Sequence, residues 1–261
     1  LCYTWLLMLG AIPVILIGEE GHAVKSIKFK NKIDLGDPVN TVNIFNSFEV
    51  DELVLLDINA TVENRNISLD LLQDIAIEAR MPFSVGGGIN SLDDIRNILQ
   101  TGAEKVIIGS NALKNPSFIK EASSRFGSSS IMVCLDIKKD FFGREFAYIN
   151  AGRTKTRLSV VEASMLMEEM GAGEIIIQSI DQDGAMNGFD IKLLQKASRQ
   201  VSVPTIGLGG GGNIEHMLDL YKHSEISAIA CGSNFVFQDN QRGVLINYLS
   251  KEELKLFQNL R

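Results

Sequence analysis

The sequence is poor in the residues that staple a fold, ligate metals or grip nucleic acid. Its three cysteines, Cys2, Cys134 and Cys231, lie far apart without a Cys-x-x-Cys pair, which excludes a disulfide framework and a zinc ribbon. Cys134 and Cys231 fall inside apolar runs and read as buried free thiols. The histidines His22, His216 and His223 show no zinc-type spacing, so no metal is expected, and no motif calls for an organic cofactor. Positive charge is in deficit: a net charge of -7 argues against nucleic acid as the main partner. There are five prolines, and no linker, low-complexity tract or charge block divides the chain. It reads as one domain spanning residues 1–261.

Charge is also missing from residues 1–18. A run of that length raises the question of a membrane span or a signal segment. Against both stand the absence of a basic flank and the interruptions at Gly10 and Pro13. Residues 12–17 are also needed as a strand. Residues 1–11 are therefore read as an extension to the fold, with Met8 as a candidate start, and a soluble cytoplasmic protein is expected.

What is present is an alternation. Short β-rich apolar runs at 12–17, 52–58, 83–85, 105–108, 131–135, 174–179, 205–208 and 226–231 are separated by longer helical patterns. Eight such units in 261 residues predict a (β/α)8 barrel, which needs roughly 250 residues. Continuous runs such as Ile175-Ile176-Ile177 suit strands buried on both faces. Ser91-Leu92-Asp93-Asp94 resembles a capping box, Asn115-Pro116 places a cap before a helical proline, and Asp190 and Asn213 are further cap candidates. Gly171 is positioned to stop a helix.

One unit occurs twice. Gly86-Gly87-Gly88 is followed 23 positions later by Gly109-Ser110-Asn111, and Gly209-Gly210-Gly211 is followed 23 positions later by Gly232-Ser233-Asn234. A helix and a strand lie between the tripeptides each time. This predicts two related half-barrels, about 12–125 and 126–261. All four tripeptides fall in loops after strands, where barrels of this kind place their sites. Glycine lets phosphate oxygens approach backbone N–H groups, and the serine hydroxyl adds a donor. A lone Gly-Gly-Gly would more simply turn the chain. The matched pairs predict two anion sites across one mouth, and hence a ligand phosphorylated at both ends.

Asp136, closing Val133-Cys134-Leu135-Asp136, is the candidate acid–base group. Asp57, Asp181 and Asp183 are further mouth carboxylates, some of which orient loops. A long loop at about 18–37 carries Lys25, a candidate to close over a phosphate, and Lys30 and Lys32, read as solvated.

The motifs Gly36-Asp37-Pro38-Val39, Asp51-Glu52-Leu53-Val54-Leu55-Leu56-Asp57, Val85-Gly86-Gly87-Gly88-Ile89, Lys114-Asn115-Pro116-Ser117, Gly171-Ala172-Gly173-Glu174 and Ser179-Ile180-Asp181-Gln182-Asp183-Gly184 resemble the cyclase subunit of imidazole glycerol phosphate synthase, over nearly the whole chain. That resemblance implies a lyase-type cyclase paired with a glutaminase subunit as a heterodimer. Ammonia from the glutaminase passes through the barrel to a bisphosphorylated ribulosyl aminoimidazole carboxamide nucleotide, giving imidazole glycerol phosphate and an aminoimidazole carboxamide ribotide. It places phosphate contacts on Gly88, Gly109 and Ser110 at one end and on Asp183, Gly184, Gly210, Gly232 and Ser233 at the other, and Lys25 matches the family's substrate-binding loop lysine. Glu52, Lys105 and Glu174 match the charged ring where ammonia enters.

Two departures accompany it. The family's pair of catalytic aspartates maps onto Asp136 and Ile17, and the arginine of the ring maps onto Ala11. Isoleucine carries no proton. Ile12-Pro13-Val14-Ile15-Leu16, Lys25-Ser26-Ile27-Lys28-Phe29-Lys30 and Val244-Leu245-Ile246-Asn247-Tyr248 are more similar to a paralogue branch, in which the barrel works with a glutaminase and a sugar amidotransferase in surface-glycan biosynthesis. An active cyclase remains the alternative. Another phosphosugar isomerase-type barrel would satisfy the Gly-Ser-Asn repeats but not the full motif set.

Overall fold

Strand β1 (Ala11–Ile17) is apolar at every position because both of its faces are covered. It leads into an antiparallel hairpin, β2 (Ala23–Ile27) and β3 (Lys30–Gly36), and then α1 (Pro38–Ser47). Three simple units follow: β4 (Leu53–Asp57) with α2 (Leu69–Glu78), β5 (Phe83–Gly86) with α3 (Leu92–Gln100), and β6 (Lys105–Ile108) with α4 (Ser110–Lys114) and α5 (Pro116–Phe126). The second half repeats the plan. β7 (Ile131–Lys139) carries a hairpin of β8 (Glu145–Ile149) and β9 (Thr154–Ser159) before α6 (Val160–Glu169). Then come β10 (Glu174–Ser179) with α7 (Ile191–Ser198), β11 (Thr205–Leu208) with α8 (Ile214–His223), and β12 (Ala228–Cys231) followed by α9 (Lys251–Gln258). This computed structural model describes residues 11–238 and 243–258. Cys2 and, apart from Ala11, the expected extension at 1–11 lie outside the described residues.

Eight strands pair in parallel in the order β10-β11-β12-β1-β4-β5-β6-β7, and β10 pairs back to β7. The sheet is therefore closed, as a (β/α)8 barrel. Its core has two parts. An outer layer between sheet and helices includes Ile15, Ile17, Leu55, Val85, Leu135 and Ile177; a lumen layer includes Val14, Leu16, Val54, Ile107, Met132, Ile176 and Ile206. Caps fix the helices: Ser91 and Asp94 form a reciprocal capping box, and the Asp190 and Asn213 side chains accept from Leu193 N and His216 N. Asn115 makes no side-chain cap bond; its Oδ1 accepts from Ser117 Oγ instead. Among the described residues no helix is long and apolar enough to cross a membrane.

The two hairpins correct the sequence reading. The segment expected as a lysine-bearing loop at 18–37 is largely β2–β3, and β7 continues past Asp136 to Lys139 as one arm of the second hairpin. β2 and β8 pair with barrel strands, but the outer arms β3 and β9 bury little and lack the apolar runs that mark the other strands. The hairpin tips meet over the mouth, where the Phe29 ring lies against Gly152. Lys28, Phe29, Asn150 and Ala151 at these tips all have positive φ.

Candidate functional site

Side chains of a strand alternate between its faces, so each barrel strand sends every second residue into the lumen. Parallel partners Val14↔Val54 and Leu16↔Leu56 share the inward face, while Ile17 pairs with Asp57 on the outward one. Ile17 is 1% exposed and belongs to the outer layer. The residue that ends β1 on the lumen side is Leu16, which lines the mouth. The position assigned from sequence to the missing aspartate is thus off by one, because an unbroken apolar strand carries no sign of its facing. Both residues are aliphatic, so the end of β1 offers no proton on either side.

Asp136 does face inward. It lines a cavity of about 470 Å³ together with Leu16, Leu56, Ile107, Cys134 and Gln178. Burial, reinforced by the charge of Asp183, pushes its carboxyl up to about 7. At neutral pH it is poised to give or take a proton, which is the property an acid–base group needs. Cys134 sits beneath it, 4.0 Å from Asp136 Oδ1 and 3.8 Å from Gln178 Oε1, its thiol held neutral by burial. Gln178 escaped the sequence reading; its inward register opposite Asp136 was its only signal. The other mouth carboxylates hold loops. Asp57 accepts from Asn59 N, Ala60 N and Arg65, and Asp181 accepts from Lys139 N.

The first glycine pair lies on this cavity. Gly88, Gly109 and Ser110 all line it, with Gly109 directly before α4. Ser110 Oγ accepts from Asn150 N at 2.8 Å, which leaves its own hydrogen to donate. Gly88 has φ 70°, and a Cβ there would overlap the Arg65 carbonyl oxygen. Its counterpart Gly210 has φ 111° and would overlap the Gly188 carbonyl oxygen. At these two positions loop packing alone requires glycine.

The second pair lines a separate recess of about 20 Å³ containing Gly184, Gly210, Gly232, Ser233, Asp183 and Lys25. Leu16, Ser26 and Gln178 line both spaces, so the two are neighbours at one mouth. Lys25 is not a mobile loop residue: it lies on β2, 3% exposed, and its Nζ donates to Val14 O at 2.5 Å. Burial pulls its ammonium down to about 8, against the opposing pull of Asp183. Asp183, itself raised by burial, accepts from Ser26 Oγ at 3.3 Å and Phe29 N at 3.4 Å, and so pins the first hairpin. Lys30 is exposed, but Lys32 reaches Asn59 Oδ1 at 2.7 Å and lines the first cavity.

At the opposite face Lys105 bridges Glu174 at 2.8 Å and Glu52 at 3.3 Å, and Ser84 Oγ donates to Glu52 at 2.8 Å. Burial works against the Lys105 charge, but the two glutamates outweigh it and raise its pKa; burial raises Glu174. Ala11 belongs to the outer layer, and the lumen residue beside it on β1 is Ile12. No basic residue from β1 joins this cluster. Among the described residues no group of three or more His, Cys, Asp or Glu is placed to hold a metal ion.

A closed eight-stranded α/β barrel, with a twice-repeated glycine rim and the buried, elevated carboxyls of Asp136 and Asp183 at its mouth, defines the class. The profile of the histidine biosynthesis protein family matches residues 11–241. The chain belongs to that family and, within it, to the HisF-like proteins. It is 42% identical to imidazole glycerol phosphate synthase subunit HisF of Hydrogenobaculum sp. over 236 residues, 90% of this chain and 94% of the relative. A putative imidazole glycerol phosphate synthase subunit hisF2 of Pseudomonas aeruginosa is 40% identical over 237 residues, 91% and 94% of the two chains. A putative hisF3 of Vibrio vulnificus is 40% identical over 245 residues, 94% of each.

Proposed function

We propose that this HisF-like barrel holds an elongated ligand phosphorylated at both ends, and receives ammonia from a glutaminase seated on the Glu52–Lys105–Glu174 face. In this reading it is a cytoplasmic partner in the amidation of a surface-glycan sugar by an amidotransferase, with ring closure to imidazole glycerol phosphate lost or severely reduced. The open cavity at Gly109–Ser110 supports an anion at one end, and the matching glycine–serine turn at Gly232–Ser233 supports one at the other once the Lys25 side chain that now fills that small recess swings aside. The apolar lumen between the faces suits passage of neutral ammonia over ammonium, since a bare charge pays heavily to enter such a medium.

The observation that carries the reading is Leu16. Asp136 has no acid facing it from the end of β1, and losing one member of a positioned acid–base pair costs about 10²–10⁴-fold in rate. The test is steady-state turnover of the bisphosphorylated aminoimidazole nucleotide with free ammonium. Native turnover should be very low, and Leu16→Asp should raise it by orders of magnitude while Ile17→Asp does not. Ordinary native turnover would make the chain an active histidine-pathway cyclase, the alternative favoured by the poised Asp136.

A further inference from the structure

Four cationic side chains line the larger cavity: Lys32, Arg65, Lys114 and Arg153. Two of them are already matched by carboxylates. Lys32 lies 3.5 Å from Glu19, and Arg65 pairs with Asp57 at 2.5 Å and Glu63 at 2.6 Å. Lys114 and Arg153 make no ion pair among the described residues, in a chain with 32 acidic side chains to choose from. Both are exposed at the rim.

Their placement is constructed. Lys114 stands four residues beyond Ser110 on α4, so the two share one face of that helix. Its Nζ donates to Asn150 Oδ1 at 2.7 Å, a neutral acceptor. Asn150 in turn donates its backbone N–H to Ser110 Oγ, and its carbonyl accepts from Arg153 N at 3.3 Å. One asparagine thus ties the Ser110 loop, Lys114 and the turn carrying Arg153 into a single cluster. A phosphate oxygen could replace the Asn150 amide on Lys114 without any carboxylate having to be displaced. The second recess offers a contrast, since its one cation, Lys25, is buried, bonded to Val14 O and near Asp183.

We infer that Lys114 and Arg153 form a two-cation clamp that makes the Gly109–Ser110 rim select a dianionic phosphate monoester over a singly charged or neutral end group. This rests on the proposed two-ended ligand and names the end group that one rim takes. A phosphate monoester carries close to two negative charges at pH 7 and three acceptor oxygens, and the guanidinium fork and the ammonium match both. The two cations also contribute a salt-sensitive attraction at an exposed rim.

Calorimetric titration with ribulose 1,5-bisphosphate and with inorganic phosphate tests it, on the native chain, Lys114→Met, Arg153→Met and the double variant. Each single change should raise the bisphosphate Kd about tenfold and the double change about a hundredfold. The double variant should also lose most of the salt dependence, with melting temperature unchanged because both side chains are exposed. If the native chain binds the bisphosphate and the double variant binds it within twofold, the clamp is wrong and the two-ended ligand stands. If the native chain binds neither probe, both fail.

Discussion

The ammonium of Lys25 occupies the place where the first side-chain carbon of any residue other than glycine at 232 would stand. At Gly232 the second rim is therefore filled from within by the end of a lysine side chain, whereas Gly88, like Gly210, is packed against a fixed carbonyl oxygen. Gly88 and Gly232 should respond differently to substitution. Gly88→Ala should cost about 2 kcal/mol or more in urea denaturation, because it adds a backbone clash at positive φ. Gly232→Ala should cost less than about 1 kcal/mol, the lysine tip moving aside, yet weaken phosphate binding at least about tenfold. Equal stability losses would mean that Lys25 is as immovable as backbone.

Lys25 should leave a trace in alkaline stability. Its pKa falls from 10.5 to about 8 on folding, so between those values the unfolded chain binds the extra proton. Stability from this residue is lowest below pH 8 and rises as pH climbs to about 10.5. Urea midpoints of the native chain and Lys25→Met, compared across that interval, should show a shallower rise in the variant. Parallel curves would place the ammonium in solvent.

Asp136 has the opposite proton balance. Its folded pKa, about 7, lies above the ordinary 3.8, so across that interval the folded chain holds the extra proton. The carboxyl therefore costs stability progressively as pH rises from about 4 to 7. Asp136→Asn should melt about 3 °C or more above the native chain at pH 8, a margin that closes toward pH 4. A pH-independent difference would point to packing as the cause.

Facing on β1 predicts unequal outcomes for neighbouring substitutions. Ile17→Asp buries a carboxylate in the outer layer without a partner and should destabilise by more than about 4 kcal/mol. Leu16→Asp opens onto the mouth and should cost about 1–3 kcal/mol, roughly the burial lost with one leucine. Chemical denaturation of the two variants ranks them directly. The reverse order would restore Ile17 to the lumen.

The barrel was legible because its strands are short, β-rich and bounded by glycines and caps, and the half-barrel repeat was legible in Gly88, Gly109, Gly210 and Gly232. The facing of β1 was not, since a strand buried on both sides has no alternation to read. Nor were the hairpins, whose polar outer arms bury little and resemble loop. The burial of Lys25 followed from that miss: a lysine on an imagined loop reads as free, but on β2 it is turned under the sheet. Asn150 was invisible for a different reason. Its role comes from bonds to Ser110 and Lys114, 40 and 36 positions away in the chain.

The meeting of Phe29 with Gly152 gives the molecule a clasp. An occupant reaching from Ser110 to Ser233 would be laced beneath two arms that belong to different halves of the chain, and its escape would wait on their parting. Residence time would then be governed by how often a phenyl ring lifts from a glycine, and trimming Phe29 would alter dwell while leaving the Asn150–Arg153 turn beside Ser110 intact.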